Sequence, residues 1–201
     1  MGTVARSLKL APDLVAVDGG ANAALAWGLS PIRVVGDMDS LSDAARAAFG
    51  DRLDPVAEQD STDLQKALRS TDAPRVIGCG FLGGRVDHTL AALTALAGER
   101  RAVVLLGEED CVCLAPPSLA LDLAAGTRAS LWPLAAARGE STGLHWPLDG
   151  LNLAPDGVIG TSNRATGPVT LRLRGGPVAL ILPADALDRL WAALPLLRDA
   201  G

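Results

Sequence analysis

Four aspartates lie at or near the carboxyl ends of predicted strands in the first half of the chain. They are Asp18 in VDGGAN, Asp37 and Asp39 in GDMDS, and Asp63 in QDSTDLQKAL. Because ligands bind at this edge of an open parallel sheet, we expect the four carboxylates to converge there. Such a cluster would repel itself without a cation, and oxygen ligands beside substrate phosphates suit Mg²⁺. Each aspartate alone could equally be a turn or N-cap residue, but the set of four favours a metal site.

A glycine-rich segment, GCGFLGGRVDH, spans residues 78–88 between a predicted strand and a predicted helix. Its glycines let backbone N–H groups approach an anion, and the start of the next helix favours negative charge. Arg85 adds a planar fork of donors suited to phosphate. Asp87 and His88 begin the helix, where Asp87 could instead offset the helix dipole and His88 could be a packing residue. The segment predicts a phosphate-binding loop.

Lys66 follows Asp63 by one helical turn and lies on a similar face of the predicted helix. It is one of only two lysines in the chain, which has sixteen arginines. A lysine inside an acidic motif of so arginine-rich a chain suggests a point-charge role toward phosphate. The alternative is a lysine on a solvated helix face.

The glycine-rich segment also permits a different interpretation, because residues 78–83 match the G-x-G-x-x-G fingerprint of dinucleotide-binding proteins. An NAD-dependent oxidoreductase is therefore an alternative. The fingerprint follows a late strand, however, and Glu99, the acidic residue near the expected offset, precedes a strand instead of ending one. NAD binding would also leave the four aspartates unexplained. The chain has no Walker-type G-x-x-x-x-G-K-[ST] sequence, which excludes a P-loop kinase.

Two patterns of secondary structure position these residues. In the first half, predicted strands alternate with helices; the strands are 14–17, 32–35, 53–56, 75–77 and 102–106, and the helices are 21–29, 42–49, 61–70 and 86–96. This alternation predicts a parallel sheet with helical crossovers. In the second half, turn residues separate short apolar runs at 129–132, 157–160, 169–173 and 178–182. That pattern predicts a β-sandwich or barrel, closed by a helix at 185–197.

The composition limits the class of protein. With 18 basic and 23 acidic residues among 201, the net charge is −5, which argues against nucleic acid or an anionic membrane as the main partner. No apolar run approaches the roughly 18 residues of a membrane span. Because the N-terminal stretch lacks the apolar core of a secretory signal, the three cysteines are expected to be reduced, in the cytoplasm.

Six motifs resemble those of the thiamine pyrophosphokinase family, in order and spacing. They are DGGAN (18–22), GDMDS (36–40), Q-x-x-T-D-x-x-K (59–66), GGRVDH (83–88), GLHWPL (143–148) and GTSN (160–163). The resemblance implies transfer of the pyrophosphoryl group of ATP to the hydroxyl of thiamine, giving thiamine diphosphate and AMP. It also implies a homodimer whose subunits join an α/β nucleotide-binding domain to a β-sandwich. We expect these domains at 1–108, for ATP and Mg²⁺, and 109–201, for thiamine, with a C-terminal helix.

The resemblance further implies roles for the matching residues. The Mg²⁺ ligands would be Asp18, Asp37, Asp39 and Asp63. The contacts to ATP would be Gln59, Thr62, Lys66, Arg85, Asp87 and His88. Thiamine would contact Ser162 and Asn163 and stack on Trp146 at the subunit interface, although these three could instead be turn or inward-facing residues. The residues acting in catalysis would be Asp37, Asp39, Asp63, Lys66 and Arg85.

The chain departs from the family at its start. Members usually have an extra strand before the segment that reaches DGG, and residues 1–12 are too short and too polar for that strand and its helix. We therefore expect the first strand of the sheet to be missing. This departure keeps open a non-catalytic homologue that binds thiamine or a nucleotide, although the complete acidic set argues against it.

Overall fold

The computed structural model describes residues 1–56, 58 and 60–195. The chain divides into two units, Met1–Ala73 and Pro74–Gly201. Among the described residues, no helix is both long enough and apolar enough to cross a membrane.

Short apolar segments form a parallel sheet in the first unit. The strands are β1 (Val15–Val17), β2 (Arg33–Gly36) and β3 (Leu53–Pro55), in the order β1-β2-β3. The unit also contains α1 (Gly2–Leu10), which precedes β1, and α2 (Gly20–Ala26), α3 (Asp43–Phe49) and α4 (Asp63–Arg69). Val34 pairs with Ala16 on one side and Leu53 on the other, so the loops after β1 and β2 leave the same edge of the sheet. Buried side chains of β1, β2, α2 and α3 form its core.

Side-chain caps fix where α3 and α4 begin. The Ser42 hydroxyl accepts a hydrogen bond from the backbone N–H of Ala45 at the start of α3. At the start of α4, Thr62 accepts from the Gln65 N–H, and Gln65 Oε1 accepts from the Thr62 N–H. These reciprocal bonds are a capping box, which satisfies N–H groups that have no partner within the helix.

The described part of the second unit, residues 74–195, contains two sheets. In chain order its elements are β4 (Arg75–Cys79), α5 (Val86–Ala97), β5 (Ala102–Leu106), β6 (Asp110–Leu114), β7 (Ser118–Leu121), β8 (Ser130–Pro133), β9 (Ala137–Leu144), β10 (Asn152–Leu153), β11 (Ala165–Gly175), β12 (Val178–Pro183) and α6 (Leu187–Ala193). One sheet has the order β4-β5-β6-β12-β8 and the other β10-β9-β11-β7. β4 and β5 are parallel, because α5 crosses over between them, and the other strand pairs are antiparallel.

The burial of the strands follows their sequence patterns. All five residues of β5, AVVLL, are buried, as expected for a strand covered on both faces. In β11, Val169, Leu171 and Leu173 are buried while Thr170 and Arg172 are exposed. The four-stranded sheet therefore turns one face to the interior and the other to solvent. This combination of a parallel α/β region and antiparallel β structure confirms the predicted fold class.

Two predicted elements differ from the structure. Residues 157–160 make isolated bridges, from Val158 to Leu153 and from Gly160 to Leu131, and are not a strand. A turn uses part of this segment, since the Gly157 N–H bonds to the Ala154 carbonyl. The helix predicted at 185–197 is a 3-10 turn, Ala184–Ala186, followed by α6, which ends at Ala193. Leu194 is extended because it precedes a proline, and residues 196 and 197 lie outside the described part of the chain.

The chain does not divide at the predicted boundary between residues 108 and 109. β5 pairs with β6 across that boundary, through Val104 with Cys113 and Leu106 with Cys111. Strands β4 and β5 therefore belong to the same sheet as β6, and the chain divides after Ala73. The assignment of nucleotide and thiamine binding to 1–108 and 109–201 stays a prediction.

Candidate active site

The Asp18 carboxylate lies directly against the backbone of Gly36 at the end of β2. The Asp18 N–H donates to the Val35 carbonyl at 2.9 Å, and Asp18 Oδ1 accepts from the Met38 N–H at 3.2 Å. A Cβ atom placed on Gly36, whose φ is +145°, would lie 1.8 Å from Asp18 Oδ1. Only glycine can therefore occupy position 36 while Asp18 keeps this position.

The GDMDS loop, residues 36–40, is held by two side chains, Asn22 and Arg46, whose roles could not be predicted from the sequence. Asn22 Nδ2 donates to the Ser40 carbonyl at 2.8 Å, and Asn22 Oδ1 accepts from the Ser42 N–H at 2.9 Å. Arg46 donates to the Met38 carbonyl at 3.0 Å. The presence of Asn22 in DGGAN, four residues after Asp18, is the one sequence signal that pointed to it.

These bonds hold a backbone that the sequence alone does not favour. Met38 has a φ of +67° and Asp18 a φ of +41°, in the left-handed region. Non-glycine residues there cost roughly 1–3 kcal/mol and persist where surrounding contacts impose the conformation. The strain lies at the two loops that carry Asp18 and Asp37, which marks this sheet edge as a functional candidate.

Asp18 shares an electrostatic environment with three of the predicted site residues. Burial is the main cause that raises the pKa of Asp18, and the negative charges of Asp37 and Asp63 raise it further. The Met38 N–H and the positive charge of Lys66 act in the opposite direction. The structure therefore brings these four side chains into one charged region of the first unit.

The other aspartate of the loop, Asp39, is exposed, and its N–H donates to Asp37 Oδ1 at 3.0 Å. This bond closes a tight turn that orients the Asp37 carboxylate. Among residues 1–56, 58 and 60–195, no three histidine, cysteine or acidic side chains are grouped so that they could hold a metal ion by themselves. The metal role of the four aspartates stays a prediction.

Lys66 is almost completely buried in α4, with 5% of its surface exposed. A lysine is seldom buried unless its charge meets an opposite charge, and here the neighbouring charges are acidic. The alternative interpretation, that Lys66 lies on a solvated face of the helix, is therefore wrong. Of the other predicted ATP contacts nearby, Thr62 caps α4, and Gln59 lies outside the described residues.

The predicted phosphate loop in the second unit joins β4 to α5. Gly80, Gly83 and Gly84 have φ values of +86°, +81° and +63°, so they supply the left-handed turns that bring the chain to α5. Arg85, at the N-cap of α5, forms a two-pronged ion pair with Asp87 at 2.5 and 3.1 Å. This pairing lowers the pKa of Asp87 and raises that of Arg85.

Both members of that ion pair are exposed, as is His88 next to them. Arg85 is therefore preoriented by Asp87 and open to an anion from solvent. Asp87 lies in the first turn of α5, so its alternative role in offsetting the helix dipole stays possible. His88 is exposed, so the alternative that it is a packing residue is wrong.

The three predicted thiamine residues lie together in the second unit. Trp146 is 53% exposed, and Asn163 is 3% exposed and bonds to the Trp146 backbone. Ser162 is exposed, has a φ of +60°, and donates its N–H to Ser130 Oγ at 3.0 Å. The inward-facing alternative for Trp146 is therefore wrong, whereas Ser162 does occupy a turn.

Solved structures share this architecture. The crystal structure of thiamine pyrophosphokinase from Bacillus subtilis matches with a TM-score of 0.74 at 23% identity, over 85% of this chain and 87% of that one. The thiamin pyrophosphokinase of Geobacillus thermodenitrificans matches with a TM-score of 0.72 at 25% identity, over 87% of each chain. The protein is thus a mixed α/β protein of the class that combines a parallel sheet with antiparallel sheets.

Sequence comparison defines the family. The model of the thiamin pyrophosphokinase catalytic domain matches residues 4–105, and the chain belongs to the thiamine pyrophosphokinase family. Thiamine pyrophosphokinase 1 of Oryza sativa subsp. japonica and thiamine pyrophosphokinase 1 of Arabidopsis thaliana are each 27% identical to it over 154 residues, 66% of this chain. The chain spans 58% of the length of these curated relatives. None of these findings supports the NAD-dependent alternative.

Proposed function

We propose that the chain is a thiamine diphosphokinase, which transfers the pyrophosphoryl group of ATP to the hydroxyl of thiamine and releases AMP. Membership of the family supports this assignment. The observation that carries it is the charged region around Asp18, where Asp37, Asp63 and the buried Lys66 act on one carboxylate. Carboxylates beside a buried cation suit a metal-bound polyphosphate better than they suit an uncharged ligand.

The donor chemistry of this region fits Mg²⁺. Mg²⁺ is usually held by one or two carboxylates, with water and substrate phosphates completing its shell, so three clustered protein ligands are not required. Burial and the neighbouring carboxylates disfavour a charged Asp18, and a bound cation would relieve that cost. We propose that one or two carboxylates of the set Asp18, Asp37, Asp39 and Asp63 hold the ion directly and that the others act on it through bound water. When bound, it would neutralise charge on the ATP phosphates and polarise the phosphorus that is attacked.

The chain's own residues would then orient the reactants and compensate their charge. The thiamine hydroxyl oxygen attacks the β-phosphorus of ATP in line, and the bond from that phosphorus to the bridging oxygen of AMP breaks. Lys66 would stabilise phosphate charge in the first unit, and Arg85, preoriented by Asp87, would bind phosphate in the second. The hydroxyl proton would pass to a carboxylate, for which Asp63 and Asp87 are the candidates. Gln59, Thr62 and His88 are proposed as further ATP contacts.

Thiamine is proposed to bind at Trp146 and Ser162 in the second unit. The large exposed ring of Trp146 offers a flat apolar surface on which a pyrimidine can stack. We further propose a homodimer with the thiamine site at the subunit interface, since an exposed tryptophan is typical of interface residues. The proposed partners are therefore ATP, thiamine and a second copy of the chain, without nucleic acid or membrane, in the cytoplasm.

The test is product formation. The purified chain is mixed with ATP, Mg²⁺ and thiamine, and AMP and thiamine diphosphate are quantified by chromatography; we expect equal amounts of both. Asp37→Asn should reduce turnover by about a hundredfold or more with the fold retained, whereas Asp51→Asn, the same change at an exposed aspartate of the first unit, should leave it unchanged. A folded chain that forms no AMP would overturn the proposal, and wild-type turnover in Asp37→Asn would remove Asp37 from the site.

A further inference from the structure

Asn163 is one of the few buried polar side chains among the described residues, with 3% of its surface exposed. Its Oδ1 accepts hydrogen bonds from the N–H of Trp146 at 3.1 Å and from the N–H of Arg164 at 2.9 Å. Its Nδ2 donates to the carbonyl of Trp146 at 2.7 Å. Both backbone polar groups of Trp146 are therefore bonded to one amide.

These bonds leave Asn163 little capacity to contact a ligand. A side-chain amide oxygen has two acceptor sites, and both are filled by backbone N–H groups. One N–H of Nδ2 is also in use, and the near-complete burial of the side chain restricts access to the other. The direct contact to the thiamine pyrimidine that the family resemblance implied for Asn163 does not suit this environment.

The bonds of Asn163 have a clear consequence for Trp146. Trp146 is 53% exposed, while its backbone N–H and carbonyl are both held by Asn163. The Arg164 guanidinium lies 5.4 Å from the centre of the ring, and the His145 ring meets it edge-on at 4.4 Å. In addition, the His145 N–H donates to the Arg164 carbonyl at 2.9 Å. An exposed aromatic surface is thus built on a rigid support, and Asn163 is the central part of that support.

We propose that Asn163 is a positioning residue, which sets the affinity for thiamine by holding Trp146 and does not itself contact the substrate. The inference rests on the proposed function, because it requires thiamine to stack on Trp146. Preorganising an aromatic surface lowers the entropy lost on binding, so loosening it should weaken binding without changing the chemical step.

A double-mutant cycle separates positioning from direct contact. Thiamine binding is measured by calorimetry for the wild type, Asn163→Ala, Trp146→Ala and the double variant. We expect Asn163→Ala alone to weaken binding by about tenfold, within the range of coupling found for contacting residues. In the Trp146→Ala background the same change should have no further effect, since the ring that it positions is gone. Independent, multiplicative losses would overturn the positioning role, as would unchanged binding in Trp146→Ala.

Kinetic measurements and a matched control variant guard against a general loss of folding. Asn163→Ala should raise KM for thiamine and leave kcat and KM for ATP unchanged; a fall in kcat with unchanged KM for thiamine would contradict the inference. Asn152→Ala, at an exposed asparagine of the same unit, is the matched control.

The failure of this inference is distinguishable from that of the proposed function. Additive losses in a chain that binds thiamine and forms AMP would overturn the positioning role alone. A folded wild-type chain that does not bind thiamine would overturn both.

Discussion

Replacing Gly36 by alanine tests whether the contact between the backbone of β2 and Asp18 organises the site. The added Cβ would lie 1.8 Å from Asp18 Oδ1 and 2.2 Å from Asp18 Cγ, whereas real Cβ contacts essentially never fall below 3.0 Å. The Asp18 carboxylate must therefore move by more than about 1 Å, which breaks its bond from the Met38 N–H. Asp18 would leave the position it shares with Asp37 and Asp63.

The cost has two parts. Overpacking a well-packed position costs roughly 1–3 kcal/mol, and a φ of +145° is strained for alanine by about 1–3 kcal/mol. We expect a net loss of about 3 kcal/mol in the free energy of unfolding, after partial relaxation. For a chain of this length, that corresponds to a fall in Tm of roughly 6–12 °C.

The assay combines thermal unfolding with the measurement of AMP formation. Gly36→Ala should lower Tm and reduce turnover at least tenfold even at a temperature where the variant is folded, because Asp18 is displaced. Gly20→Ala is the matched control: no atom lies within 4 Å of its added Cβ, and it is the first residue of α2, which alanine accommodates. If Gly36→Ala unfolds within 1–2 °C of the wild type, or retains full turnover, the reasoning about Asp18 is refuted.

Three further predictions concern the same charged region. Asp18→Asn should raise Tm at pH 7 by about 2–4 °C while activity falls by orders of magnitude, because it removes a disfavoured charge and keeps an acceptor for the Met38 N–H. Because its pKa is raised, Asp18 of the wild type becomes protonated as the pH falls, and the difference in Tm between Asp18→Asn and the wild type should vanish in acid. A difference in Tm that does not change with pH would show that the charge of Asp18 is not its cause. Lys66→Met should lower Tm, because it leaves the carboxylates around Asp18 without their buried cation, and should raise KM for ATP; an unchanged KM would argue against phosphate binding. Asn22→Ala should weaken Mg²⁺ binding in the presence of ATP, measured by calorimetry, and identical binding would show that the GDMDS loop holds its shape without it.

Local chemistry explains which parts of the fold could be predicted. The alternation of strands and helices before residue 106, the Thr62 cap and the apolar run of β5 are all properties of neighbouring residues. The pairing of strands is not a property of neighbouring residues, because it depends on contacts between residues far apart in the sequence. For this reason the sequence did not reveal that β4 and β5 join β6 instead of the sheet of β1 to β3.

The candidate site divides in the same way. The types and order of Asp18, Asp37, Asp63 and Lys66 predicted that these charged side chains lie near one another, as the structure shows, and the resemblance to a family suggested the reaction proposed for them. The burial of Lys66 could not be predicted, because the sequence of α4 does not show how much of the helix surface is covered by the rest of the unit.

By itself, the sequence determined the chemical groups available to this protein and the elements that carry them, since caps, periodicity and motifs act over a few residues. Only the tertiary structure decided which of those groups come into contact. Gly36 meets Asp18 across 18 positions of the chain, and Asn163 meets Trp146 across 17. The physical reason is that hydrogen bonding and steric exclusion act over a few ångströms in space, and only the folded chain brings such distant residues that close.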